Sequence, residues 1–228
     1  MNQAPNFNRL ARLYPWMELF TFGPWLSLTR QTFLPQLRNS RRALVLGDGD
    51  GRFTARLLRS NPQIQIDAVD ASPAMLTALH RRAGPHAARV TTHLADIRAW
   101  RPQPSTPPYD LIATHFFLDC LTTSEVQSLA AKLRPAITPH ALWVVSDFAI
   151  PANSFGRLIA LPIVTSLYLS FALLTGLTIR RLPNHSAALT AAGFTCLEHR
   201  SRLAGLLFAE LWSANVPESD PSPTPSAL

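Results

Sequence analysis

Lysine is almost missing from this chain. Lys132 is the only one, so the net charge of +7 rests on arginines, and these stand in scattered pairs such as Arg41–Arg42, Arg81–Arg82 and Arg180–Arg181. A basic chain raises nucleic acid or an anionic surface as partner. No zinc-finger spacing or other nucleic-acid signature accompanies the charge, which makes nucleic acid the less favoured partner and a solvated basic surface the better reading. Cysteine is nearly as scarce. Cys120 and Cys196 lie in apolar segments without metal-type or disulfide-type spacing, so no metal is expected, and a reduced, cytoplasmic setting is. The N-terminal stretch MNQAPNFNRLARLYPW has no apolar core of the secretory kind, which argues against export. The chain contains no internal repeat.

What is present is ample apolar content. At 228 residues and 47% hydrophobic composition the chain can bury one sizeable core. Residues 1–40 are rich in aromatics and broken by Pro15, Gly23 and Pro24, which predicts a cover of short helices. From residue 41 to 215 the pattern becomes regular. Strand-like runs ALVLG, IQIDAVD, RVTTHLAD, YDLIATHF and ALWVVSDF alternate with helix-like stretches RFTARLLRS, SPAMLTALHRRA and TTSEVQSLAAKLRP. Continuous Val, Ile and Leu runs suit a parallel sheet covered on both faces, and the alternation predicts an α/β, doubly wound fold. Two last strands, within GFTCLEHRSRLAGLLFAELWSA, read as an antiparallel hairpin completing a mostly parallel seven-stranded sheet. Ser72-Pro73, Thr122 with Glu125, and Gly193 have the spacing of helix start and stop signals. The tail 216–228 lacks the apolar content to fold and is expected to be disordered.

The stretch ALVLGDGDGRFTARLL carries the chemistry. Gly47, Gly49 and Gly51 leave a strand and open a helix, where missing side chains let a ligand approach the backbone. In a dinucleotide site that approach serves a pyrophosphate, yet Asp48 and Asp50 would repel phosphate. The dinucleotide fingerprint also fails at Arg52, and no Lys-Ser/Thr makes a P-loop. A ligand with nucleoside character, positive charge and no phosphate suits these acids, and S-adenosylmethionine is such a ligand.

On these residues the chain resembles the class I methyltransferases, whose first motif pairs a strand with G-x-G-x-G; the resemblance covers most of residues 43–133. It implies a Rossmann-like fold and S-adenosylmethionine as cosubstrate, with Gly47, Asp48, Gly49 and Gly51 as its cradle. It implies that Asp70, followed by Ala71, ends the second strand and accepts the ribose hydroxyls. Asp96 in HLADIRAW then accepts from the adenine amino group, with Ile97 against the ring. The chain departs from the pattern at Val45, where many members carry an acid, so Asp48 or an N-terminal residue must serve the amino end.

Methyl transfer is an in-line displacement that mainly needs alignment and exclusion of water. After the fourth strand, Thr114 and His115 fall beside the methyl position, and His115 is a candidate general base for a hydroxyl acceptor. Asp147, ending the fifth strand, is a second base candidate. The sequence THFF is not the Asn/Asp-Pro-Pro-aromatic run of the adenine-amino enzymes, and Cys120 lacks the Pro-Cys context of the cytosine C5 enzymes. FNRLARLYPW looks like the entry segment of the ubiquinone/menaquinone branch, with Phe7, Ala11 and Tyr14 at matching spacing, which makes Tyr14 a candidate to close over the cosubstrate.

Residues 158–177 carry no charge and are long enough to span a bilayer. Pro162, Gly176 and several Ser and Thr interrupt them, and a span between the fifth and sixth strands would split one sheet. The expected structure is an apolar helical lid over 151–183, with peripheral membrane contact through Ile179-Arg180-Arg181. The favoured function is methylation of a small, lipophilic acceptor through O, C or N. An RNA methyltransferase using an arginine-rich face and a non-catalytic binding module remain as alternatives.

Overall fold

The computed structural model describes residues 23–102, 107–151, 154, 158, 160–162, 164–166 and 182–215. Within them lies a seven-stranded sheet of order β3-β2-β1-β4-β5-β7-β6. Its strands are β1 (Arg42–Leu46), β2 (Gln65–Asp70), β3 (Val90–Leu94), β4 (Tyr109–His115), β5 (Ile137–Phe148), β6 (Phe194–Arg202) and β7 (Leu207–Ala214). The first five pair in parallel, while β7 runs antiparallel to both β5 and β6. The doubly wound sheet with a C-terminal hairpin is therefore as the sequence predicts.

The α-helices that flank it include α1 (Trp25–Arg30), α2 (Arg52–Ser60), α3 (Pro73–Ala83), α4 (Thr123–Leu133) and α5 (His185–Ala191). The start signals act as read. The Ser72 hydroxyl accepts from the Met75 N–H at 3.3 Å, and Thr122 with Glu125 forms a reciprocal capping box. Asn184 caps α5, accepting from the Ala187 N–H at 3.0 Å, and His185 beside it is bonded to Glu210 of β7 at 2.9 Å.

Because successive strand residues alternate in direction, β1, β4 and β5 feed two cores. On one face Leu44, Ile112, Trp143 and Val145 pack with Val126 and Leu129 of α4 and Leu189 of α5. On the other, Val45, Leu111, Ala113 and Val144 meet Phe53 and Leu57 of α2 and Phe33 and Leu37 of the preceding segment. A third cluster joins Leu26 of α1 to Phe148, Leu206, Leu207, Ala160 and Val164. Residues 158, 160–162 and 164–166 are helical, in keeping with the expected lid. Its remainder over 167–181 lies outside the described residues, as do Tyr14 and the tail 216–228. No helix among the described residues is long and apolar enough to cross a membrane.

The sheet order reverses between β1 and β4, since β1 has β2 on one side and β4 on the other. Loops leave these two neighbours toward opposite faces, which opens a crevice at the carboxyl ends of the strands.

Candidate functional site

Beyond Leu46 the chain turns through Gly47 to Gly51 into α2. Gly47 and Gly51 have φ of 64° and 80°, a region that L side chains rarely adopt. Space forbids a side chain as well. A Cβ on Gly47 would lie 2.1 Å from the Phe117 ring, and one on Gly51 2.7 Å from the Leu79 Cα. The Gly47 N–H donates to the Val69 carbonyl at 2.9 Å, which fastens the turn to β2.

The two acids between the glycines serve the protein itself. Asp48 accepts from the N–H groups of Phe53 at 3.2 Å and Thr54 at 2.8 Å, capping the first turn of α2. Burial pushes its carboxyl up, against the pull of those donors and of the Arg30 guanidinium. Asp50 is bridged by Arg52 at 3.2 Å and by Arg82 of α3. In a turn that opens a helix, the unpaired N–H groups of the first turn are the donors nearest to Asp48.

Asp70 ends β2 and returns to the glycine loop. Its Oδ1 accepts from the Ser72 N–H at 2.8 Å. Burial pushes its carboxyl up to about 6, although the N–H groups of Ser72, Gly49 and Ala71 oppose the rise. Asp96 follows β3 and accepts from the Arg98 N–H at 2.9 Å, while the Arg98 guanidinium reaches Glu125 of α4 at 2.7 Å. Ile97 is buried in the same core cluster as Leu118 and Leu121. The glycine loop, Asp70–Ala71 and Asp96–Ile97 thus form a row along the carboxyl ends of three adjacent parallel strands.

At the end of β4 the expectations divide. Thr114 was expected beside the methyl position, but it is buried and its hydroxyl accepts from the Trp143 indole N–H at 3.0 Å. Its side chain belongs to the core on the α4 side, because residues 112 and 114 share a face. His115 points to the opposite face. Val45 pairs with Ala113, so His115 lies one pleat further along the face that Val45 occupies, beside Gly47. Its Nδ1 is 2.9 Å from the Ser146 hydroxyl, its ring centroid lies 4.1 Å from that of Phe53, and its Nε2 is buried without a hydrogen-bond partner among the described residues. The Ser146 hydroxyl reaches the Thr29 carbonyl at 3.4 Å. Donation there assigns the histidine proton to Nδ1 and leaves Nε2 as an acceptor.

Burial, and secondarily Arg30, holds the His115 imidazole well below its ordinary pKa. Such an environment disfavours the protonated imidazole. Asp147, the second base candidate, lies near the end of β5. Its oxygens accept from the N–H groups of Asp119 at 3.1 Å and Phe148 at 2.9 Å, and burial with the neighbouring Asp119 charge raises its carboxyl well above the ordinary value. It anchors the loop after β4 to the end of β5. Arg30, Ser146 and Phe117 escaped the sequence reading, since each meets the site only through tertiary contact and none lies in a motif.

A glycine loop, a strand-end acid and a second acid on successive parallel strands, on a sheet with an antiparallel seventh strand, define a Rossmann-like methyltransferase fold. Residues 44–142 match the family model described as a methyltransferase domain. Over that stretch the chain is similar to the class I methyltransferases, the kind whose cosubstrate is S-adenosylmethionine. Trans-aconitate 2-methyltransferase of Mycobacterium tuberculosis is 36% identical over 127 residues, 54% of this chain and 44% of that protein. A malonyl-[acyl-carrier protein] O-methyltransferase of a Paenibacillus species is 34% identical over 85 residues, 34% of this chain and 31% of that protein. Among solved structures, an O-methyltransferase family protein from Burkholderia thailandensis gives a TM-score of 0.68 at 16% identity, covering 92% of this chain and 61% of that one. The match thus spans less than half the length of these curated relatives. These likenesses carry the class and do not single out the quinone-type branch.

Proposed function

We propose that this chain transfers a methyl group from S-adenosylmethionine to a small, largely apolar acceptor. The observation that carries the reading is the row of glycine loop, Asp70 and Asp96 along β1, β2 and β3, with the unpartnered His115 Nε2 beside it. Those residues fit the cosubstrate. Asp70 would hold the ribose hydroxyls, Asp96 with Ile97 the adenine, and the backbone of Gly47 to Gly51 the sulfonium side. The His115 Nε2 is an acceptor aligned with the face of Val45, where many relatives in the class carry an acid, and we assign it to the ammonium group. When bound, the cosubstrate supplies an electrophilic methyl group on a sulfonium.

The chain's own part is alignment and drying. Phe116 stacks near Phe148 at 5.1 Å and beneath the Arg30 guanidinium, and the apolar cluster of Leu26, Phe148, Ala160, Val164 and Leu207 borders the ends of β4 and β5. Such walls exclude water from an in-line displacement and favour an apolar acceptor. The arginines favour this over an RNA substrate: Arg42, Arg82, Arg98 and Arg200 pair with Asp67, Asp50, Glu125 and Glu198 within the chain. A carboxylate on the acceptor is a second reading, supported by buried Arg30 at the border of that cluster and by the named acids of the relatives.

Thermal unfolding tests the central claim. Ligand at about a hundred times its dissociation constant adds roughly 2.7 kcal/mol, a rise of roughly 5–10 °C for this size. S-adenosylmethionine and its demethylated product should each produce it and NAD should not. A shift with NAD alone would overturn the reading.

A further inference from the structure

The charge of the chain is unevenly placed. Residues 1–42 and 148–197 hold nine of the 21 basic residues and one of the 14 acidic ones, Glu18, so these segments carry the whole net positive charge. Between Asp147 and Glu198 there is no acid at all, and the uncharged run 158–177 is bracketed by Arg157 and Arg180-Arg181.

Where the same two segments are described, two of their helical stretches expose large apolar side chains. Helix α1 buries Leu26, Thr29 and Arg30 and exposes Trp25 and Leu28, three residues apart on the opposite face. In the helical stretch around residue 160, Ala160 and Val164 are buried while Leu158 and Leu161, again three apart, are exposed, Leu158 to 76%. Leu26, Ala160 and Val164 meet in one cluster with Phe148 and Leu207, so both outer faces turn away from the same point, at the carboxyl end of β5. Ile150, just beyond β5, is exposed as well, and Arg56 stands exposed 3.5 Å from Ser27 of α1. Exposed Trp and Leu on helical stretches of segments that are basic in sequence, with Arg56 beside one of them, match the interface of a bilayer with anionic headgroups.

We propose that this face docks on an anionic membrane surface, with Trp25, Leu28, Leu158 and Leu161 entering the headgroup boundary and the surrounding arginines drawing the protein to it. The site would then open where a lipophilic acceptor is most concentrated. An acidic carrier protein could satisfy the charge, but it gives the exposed Trp and Leu faces no apolar phase to enter, so the bilayer is the occupant argued for.

Flotation of the full chain with phosphatidylcholine vesicles, with and without phosphatidylglycerol, tests this without reference to methyl transfer. Binding should require phosphatidylglycerol and weaken as salt rises. The double variants Trp25→Ser/Leu28→Ser and Leu158→Ser/Leu161→Ser should each lower the partition about tenfold or more, with the thermal midpoint and the response to S-adenosylmethionine unchanged. No binding to anionic vesicles would overturn the proposal, as would equal binding to pure phosphatidylcholine. Self-association abolished by these variants, without vesicle binding, would assign the face to a second copy; capture of an acidic acyl carrier protein in place of vesicles would assign it to that class. Loss of the response to S-adenosylmethionine with vesicle binding intact would sink the methyltransferase reading and leave this one standing.

Discussion

Asp70 is the residue on which cosubstrate binding should turn, and its environment makes the dependence visible. With the carboxyl at about 6 in the free protein, the ionised form that accepts two ribose hydroxyls becomes dominant only as pH rises through that value. Affinity for S-adenosylmethionine should therefore be about tenfold weaker near pH 5 than near pH 7, a ratio set by the ionised fraction. Calorimetric titration at the two pH values checks it, and Asp70→Asn should be weak at both. Flat affinity in the parent protein would remove Asp70 from the ribose site.

At the scale of elements, the glycine loop and α2 act as one unit joined by Asp48. Its carboxylate closes the first turn of α2 through Phe53 and Thr54. Losing a cap of this kind costs about 0.5–2 kcal/mol. Asp48→Ala should thus lower stability by that order in chemical unfolding while leaving cosubstrate affinity within about twofold, the cost falling on the helix. A large loss of affinity with unchanged stability would return Asp48 to the ligand. The element boundaries were legible in advance: Ser72, Thr122 and the apolar runs of β1, β4 and β5 are local signals that the packing does not contradict. The capping role of Asp48 was not legible, because its spacing between glycines is equally good for a ligand and for a helix cap, and only the packed structure shows the bonds to Phe53 and Thr54.

Across the whole molecule, burial raises several carboxyls. Asp48, Asp70 and Asp147 all stand above their ordinary values, whereas Glu125 and Glu210 are lowered by their hydrogen-bonding partners, Thr122 with Arg98 and His185 with His199, though burial opposes. A raised acid holds its proton longer in the folded state than in the unfolded chain. Folded protein then binds more protons, and stability falls as pH climbs from the unfolded value through the folded one. The thermal midpoint of the free protein should accordingly decline from about pH 5 toward about pH 7, and Asp147→Asn should flatten the decline. A midpoint that rises over this interval would show that His115, whose lowered imidazole takes up its proton preferentially in the unfolded chain, outweighs the raised carboxyls.

The sequence by itself determined the fold class, the seven strands, the glycine loop and the order of acids behind it. Those features are written in hydrophobic period and turn chemistry, which act over a few residues. Tertiary structure alone decided what surrounds the candidate residues. Asp48, Thr114 and Asp147 accept from donors on Phe53 and Thr54, on Trp143, and on Asp119 and Phe148. It also set an unpartnered nitrogen of His115 on the face of Val45, because strand register, not spacing along the chain, makes residues 45 and 113 neighbours. A hydrogen bond is satisfied by whichever donor arrives in space, and that arrival depends on packing the whole sheet.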